Sequence, residues 1–182
     1  MEEKQSPFQA AIKPGLTIGL VSLALTFIAY FINSTLLGSA WFGLVAIVLF
    51  FVLMIYFGKQ YRDELGGFMS FGTAFNFSFI AIVISGLVGL AGQIILFQVI
   101  DPSLAGVLAD QAFETQMSMM EKFGQDPDAM DPAVLEEMRA GNANSFTLTG
   151  QLKNFGFGLI VYAIIALILG AILKKRDKSL DY

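Results

Sequence analysis

The chain has 182 residues, enough for one domain, and only 14% of them are charged, well below the roughly 25% of a soluble globular domain. It has neither cysteine nor histidine, which excludes disulfides, thiolate or imidazole metal sites and a histidine general base. The net charge of −4 says little by itself, because the charges are spread very unevenly along the chain.

No Lys, Arg, Asp or Glu occurs between Lys13 and Lys59, between Glu64 and Asp101, or between Lys153 and Lys174. A membrane-spanning helix takes about 20 predominantly apolar residues. The first gap holds 45 residues, 14 to 58, which is too many for one span and suits two. The polar break at Asn33-Ser34-Thr35 and Gly38-Ser39 divides it, predicting span one over 15–37 and span two over 41–57. Pro14 stands just ahead of span one, where its missing N–H costs little. Gly66-Gly67 then turns the chain into span three, over 69–100. At 1.5 Å per residue that span reaches roughly 48 Å, longer than a hydrocarbon core of ~30 Å. Its start is therefore expected to protrude or to lie in the interface. Asp101-Pro102 joins a capping carboxylate to a proline at a first helical position, so a new helix is expected where span three stops. Span four covers 155–173. The fold class expected is all-α: an integral membrane bundle of four transmembrane helices with an amphipathic helical arm between the third and fourth, forming a single membrane domain.

Four spans put both termini on one side. That side would hold Lys4, Lys13, Lys59, Arg62, Lys174, Lys175, Arg176 and Lys178, eight of the eleven basic residues, leaving Lys122, Arg139 and Lys153 opposite. Basic residues accumulate on the cytoplasmic side. The expected localisation is thus a bacterial cytoplasmic (inner) membrane, with cytoplasmic termini and a periplasmic loop over 101–152. Trp41 would mark the outer interface, Tyr56 and Tyr61 the inner one. The competing reading makes span one a signal peptide cut after Gly38-Ser39-Ala40. Its apolar core is longer than the usual ~7–15 residues, and cleavage would leave Lys59 and Arg62 outside.

The loop is acidic, with nine carboxylates and two basic residues. Over 102–123 it reads as an amphipathic helix. Leu104, Leu108, Ala112, Phe113, Met117, Met119, Met120 and Phe123 fill one broad arc, and Asp110, Glu114 and Glu121 lie opposite. A second, shorter helix is expected from the Asp131-Pro132 cap to near Gly141. Asp126, Asp128 and Asp131 have the wrong spacing for a calcium loop, since Pro127 and the missing glycine break the pattern. Met117, Met119 and Met120 suit apolar packing better than a soft-metal site, because Met119 points away from the other two.

No predicted span carries an ionisable residue, the usual mark of a conduit. Instead the spans carry small residues at helical spacing: Gly15, Gly19, Ser22, Thr26, Ala29 and Asn33 in the first; Ala74, Ser78, Ala81, Ser85, Gly89 and Gly92 in the third; Gly156, Ala163, Ala166 and Gly170 in the fourth. Such stripes let helix backbones approach closely, within one chain or across a homo-oligomer seam. Asn76, Gln93 and Tyr162 are candidates for intramembrane polar contacts, either interhelical hydrogen bonds of about 1 kcal/mol each or a small polar cavity. Span two has almost no small residues and is expected to be the most lipid-exposed.

The junction between spans two and three reads Tyr61-Arg62-Asp63-Glu64-Leu65-Gly66-Gly67-Phe68-Met69-Ser70-Phe71-Gly72-Thr73-Ala74-Phe75. It resembles the signature of domain of unknown function 4199, a family of short membrane proteins found mainly in Bacteroidota. Ile100-Asp101-Pro102, the acidic Met-containing loop and the closing Lys174-Lys175 extend the resemblance over nearly the whole chain. The resemblance implies a four-span membrane protein and brings no catalytic or binding residues with it. Gly66 and Gly67 permit backbone conformations other residues avoid, while Tyr61 and Arg62 are placed to face headgroups at the end of span two. The same four residues, Tyr61, Arg62, Gly66 and Gly67, form either a structural turn or a docking turn for a partner. No nucleophile is paired with a base, and Glu136 and Glu137 point about 100° apart on a helix. The expectation is a non-enzymatic interaction, scaffold or accessory protein without catalytic, cofactor-binding or metal-binding residues. The alternative is a small oligomeric transporter or channel subunit. Expected partners are the lipid bilayer and either a membrane protein or further copies of the chain, and nothing points to nucleic acid.

Overall fold

Local capping decides where each helix starts in the computed structural model, which describes residues 5–176. Lys4 and Lys178, part of the charge asymmetry above, lie outside the described residues. In chain order the helices are α1 (Pro7–Ile32), α2 (Ala40–Glu64), α3 (Phe71–Ile95), α4 (Leu104–Lys122), α5 (Pro132–Ser145) and α6 (Leu148–Leu173). Four of these, α1, α2, α3 with its extension to Ile100, and α6, are long and apolar enough to cross a membrane. The protein is an all-α, multi-pass membrane protein in which α4 and α5 form an arm between the third and fourth spans.

Several boundaries differ from the sequence expectation, each for a local reason. The first span begins at Pro7, ahead of residue 15. Ser6 and Gln9 make a reciprocal cap there: the Gln9 N–H donates to Ser6 Oγ at 3.3 Å and the Ser6 N–H to Gln9 Oε1 at 3.2 Å. Pro7 occupies the first helical position, where no donor is needed. Pro14 therefore lies inside α1, where it removes a single intrahelical donor. The helix stops at Ile32, and Asn33 caps a 3-10 turn over Ser34–Gly38 by accepting the Thr35 N–H at 3.0 Å. Span two runs on past residue 57 to Glu64, through Lys59 and Arg62, because charged residues are good helix formers and only Gly66 ends the run. At its far end α3 closes in a π turn over Leu96–Ile100, with the Asp101 N–H donating to Leu96 O at 2.8 Å. The fourth span starts at Leu148 instead of 155, since Thr147 Oγ1 accepts the Gly150 N–H at 3.0 Å. The last residues of the predicted loop, 148–152, are thus helical.

The chain packs as two compact units. The first takes residues up to 25, 44–89 and those from 156 onward. Ile18, Met54, Phe77, Leu169 and Leu173 are fully buried in its core. Here the small-residue stripes of α1 and α3 face each other. A Cβ on Gly15 would fall 2.8 Å from Ala81 O, and one on Gly19 would fall 2.7 Å from Val88 Cβ and 3.1 Å from Ser85 O. Gly170 of α6 similarly lies against Phe71 and the backbone of Phe75, where a built Cβ would fall 3.2 Å from Phe71 Cε2 and 3.3 Å from Phe75 N. Close approach of this kind replaces the hydrophobic drive that lipid does not supply. By contrast α2 buries only Met54, Gly58 and Tyr61, a single stripe at intervals of four and three. It is the least buried span, as its lack of small residues implied.

The second unit, residues 26–43 and 90–155, holds the arm. Its core joins Leu96, Phe97, Leu104 and Leu108, with Tyr30, Leu37 and Phe146 packed around them. Asp101 is its polar node: Oδ1 accepts the Leu104 N–H at 3.2 Å and the Ser103 hydroxyl at 2.6 Å, and Oδ2 accepts the Tyr30 hydroxyl at 3.2 Å. The Ser103 bond is the strongest influence holding the Asp101 carboxyl below the ordinary carboxylate range. Desolvation opposes it, while the Leu104 amide and Tyr30 reinforce it.

Farther along α4, Gln111 Nε2 donates to Thr35 O at 3.3 Å and the Gln111 side chain fills the space beside Gly38, where a Cβ would collide with it. The arm is thus seated on the turn between α1 and α2. α5 starts at its Asp131 cap, whose carboxylate accepts the Ala133 N–H at 2.9 Å. It continues past Gly141 because its far turns are held by α4. Gln116 and Asn142 exchange amide hydrogen bonds at 3.3 and 3.2 Å, and Arg139 pairs with Asp110 at 3.5 Å while lying over the Phe113 ring. Of the predicted apolar arc, Leu104 and Leu108 are buried and Phe113, Met117 and Met120 half-buried. Met119 and Phe123, at the end of α4, are exposed, Phe123 to 86%.

Candidate functional site

The Tyr61–Gly67 junction is built from the end of α2 upward. Gly58 lets α6 come close enough that a Cβ there would run into Leu173. One turn later the same stripe turns Tyr61 inward. The Tyr61 ring stacks on Phe77 at 5.0 Å between centroids, and its hydroxyl donates to Gln5 O at 3.0 Å. The headgroup-facing position expected for Tyr61 is corrected: the side chain is buried, because Gly58 and Phe77 open an inner face to it. Arg62 is also largely covered, with 19% of its side chain exposed. It reaches Leu173 O with Nη1 at 3.5 Å, placing a cation at the C-terminal end of α6 where the backbone carbonyls lack partners. Its Nε lies 3.9 Å from Asp63 Oδ1.

Beyond Arg62 the helix ends in two interlocked backbone bonds, from the Gly67 N–H to Arg62 O and from the Gly66 N–H to Asp63 O, each 3.0 Å. This is the Schellman arrangement, and it requires a left-handed residue just past the helix. Gly66 has φ 94° and Gly67 φ 86°, so both glycines are demanded by the turn. The chain then pairs with the segment following α6. The Met69 N–H donates to Lys175 O at 3.0 Å, and the Lys175 N–H to Met69 O at 2.9 Å. Lys175 also places its ammonium 5.5 Å from the centre of the half-exposed Phe68 ring. The four predicted junction residues are thereby brought into one clasp that ties α2, α3 and α6 together.

The three intramembrane polar candidates are not gathered. Asn76 and Gln93 are exposed on α3, and their side chains make no hydrogen bond among the described residues. Within the chain they form no interhelical bond, because the inward face of this helix is taken by Ala74, Ser78, Ala81 and Ser85. Tyr162 is half-buried against the core of the first unit.

Beside Tyr61 lies a feature for which the sequence carried no signal, a cavity of about 340 Å³. Gln9 and Lys13 of α1 and Gln60 and Glu64 of α2 supply its polar walls, and Phe57 and Phe77 its aromatic ones. Gln60 Nε2 donates to Glu64 Oε1 at 3.4 Å. Lys13 and Glu64 form no ion pair with each other or with any other described residue. Nothing in the spacing of residues 9, 13, 60 and 64 announces a shared cavity, since it depends on how α1 meets α2.

No curated protein and no solved structure matches this chain. A family model described as a protein of unknown function, DUF4199, matches residues 13–175, from Lys13 through the glycine junction to the Lys175 clasp. The chain belongs to the DUF4199 family.

Proposed function

We propose that this protein is a non-enzymatic accessory protein of a bacterial inner membrane that presents its α4–α5 arm to a membrane-protein partner in the periplasm. The observation that carries this reading is the contrast along α4. Its base is locked, through buried Leu104 and Leu108 and through Gln111 on Thr35, while its end leaves Met119 and Phe123 in the open. A large exposed aromatic on a braced helix is suited to fill a pocket on a partner as an anchor residue. Glu114 and Glu121 remain exposed on the arm, favouring a partner with basic residues around its apolar contact. The orientation rests on the distribution of basic residues, and the bacterial origin on membership of a family found mainly in Bacteroidota. A conduit is less well supported, because Asn76 and Gln93, the residues that would line it, face away from the packed helices.

The test is site-specific photocrosslinking in intact cells from positions 119 and 123, with Gly43 as a control. A discrete adduct with another membrane protein, lost in Phe123→Ser, is the expected result. Adducts with lipid alone, or with the chain itself alone, overturn the partner reading.

A further inference from the structure

The cavity beside Tyr61 joins two charges of opposite sign that leave each other alone. Lys13 and Glu64 both line it, both are exposed, and neither is neutralised by an ion pair among the described residues. A cavity whose wall carries one cation and one anion is electrostatically complementary to a ligand that bears both opposite charges. Their place in the sequence fixes the depth at which this happens. Lys13 is the last charged residue before the first uncharged stretch, and Glu64 the last before the second. The cavity mouth thus lies where water gives way to hydrocarbon, and its walls change accordingly from amides and charges to Phe57 and Phe77. A volume of about 340 Å³ is at the lower end of small-ligand sites, roughly 300–1,000 Å³, and suits a headgroup better than a whole lipid.

We infer that this cavity binds a phosphoethanolamine group, presented by an ethanolamine phospholipid, with Lys13 on the phosphate and Glu64, oriented by Gln60, on the ammonium. A primary ammonium donates hydrogen bonds to the Glu64 carboxylate and the Gln60 amide oxygen. A quaternary ammonium cannot, so the site discriminates against choline lipids. An anionic headgroup without the ammonium would satisfy Lys13 and leave Glu64 repelling it. The aromatic wall takes the glycerol and the first methylenes of the acyl chains.

The test uses the full chain in nanodiscs containing equal parts of phosphatidylethanolamine, phosphatidylcholine and phosphatidylglycerol, with retained lipid read by native mass spectrometry after release. The expected result is preferential retention of phosphatidylethanolamine. Lys13→Gln and Glu64→Gln should each lower it about tenfold, the loss of one charge-assisted contact. Both side chains are exposed, so the variants keep the fold, checked by unchanged thermal unfolding. Competition with soluble glycerophosphoethanolamine separates the sources. Retention that only a large excess displaces marks the ligand as membrane lipid, whereas displacement at stoichiometric amounts marks the same chemistry in a soluble ester. Equal retention of the three lipids overturns the inference, as does phosphatidylglycerol retention that falls in Lys13→Gln and is untouched by Glu64→Gln.

Discussion

Asp101 shows how one side chain can set the geometry of the arm. Its carboxylate accepts from the Leu104 amide, the Ser103 hydroxyl and the Tyr30 phenol, so it starts α4 and ties that start to the end of α1. Asp101→Ala should speed amide hydrogen exchange through the first turns of α4 several-fold, and Asp101→Asn, which keeps an acceptor, should do so much less. The carboxyl is held below its unfolded-state value. Its contribution is therefore complete above the ordinary carboxylate range and is lost as pH falls through the lowered value. The protection of α4 amides, taken relative to the intrinsic exchange rate at each pH, should fall in acid for the wild type and stay level for Asp101→Asn. Indistinguishable exchange in all three proteins would remove Asp101 from this role. The Asp101-Pro102 pair was legible because a cap is written in adjacent residues. Gly38 was not, since its need for a missing side chain comes from Gln111, 73 residues away (111 − 38).

The spans and their small-residue stripes follow directly from composition and period, and the structure joins the stripes of α1 and α3 face to face. Glycines of the two stripes are nonetheless unequal. Gly19 is closed in by Val88 and Ser85, while a Cβ at Gly89 would meet nothing within 4 Å. Gly19→Ala should cost about 1–3 kcal/mol of stability through overpacking. Gly89→Ala should stay within about 0.5 kcal/mol. Unfolding in mixed detergent micelles measures both, and equal losses would mean that α1 and α3 do not depend on this approach. Helix ends were less legible than helix middles. The Ser6–Gln9 cap was present in the sequence but lay upstream of Pro14, which looks like a boundary and is not one. The beginning of α6 depends on Thr147, one of several polar residues with an equal claim to cap.

At the scale of the molecule the uneven charge is the main orienting influence, and a chain without cysteine offers a direct way to read it. Single cysteines at Phe123 in the arm and at Phe68 beside the junction are both exposed positions. In intact cells a membrane-impermeant maleimide should label the first and reach the second only after lysis. The opposite pattern would invert the proposed orientation while leaving the fold as it stands. The cavity beside Tyr61 lay beyond sequence reading for a related reason. Charges count toward topology one by one, but a binding site needs Lys13 and Glu64 on neighbouring helices, and that arrangement is a property of packing.

The clasp between Met69 and Lys175 has a consequence for the order in which the protein is made. Its partners lie 106 residues apart (175 − 69), and the span between them includes all of α4, α5 and α6. During synthesis the Schellman turn can form from local residues alone, whereas Met69 has no Lys175 to pair with and Arg62 no α6 carbonyl to meet until the chain has been made past α6. Translation of Leu173 and Lys175 supplies both at once. Closure of the clasp is therefore a late event that reports arrival of the fourth span.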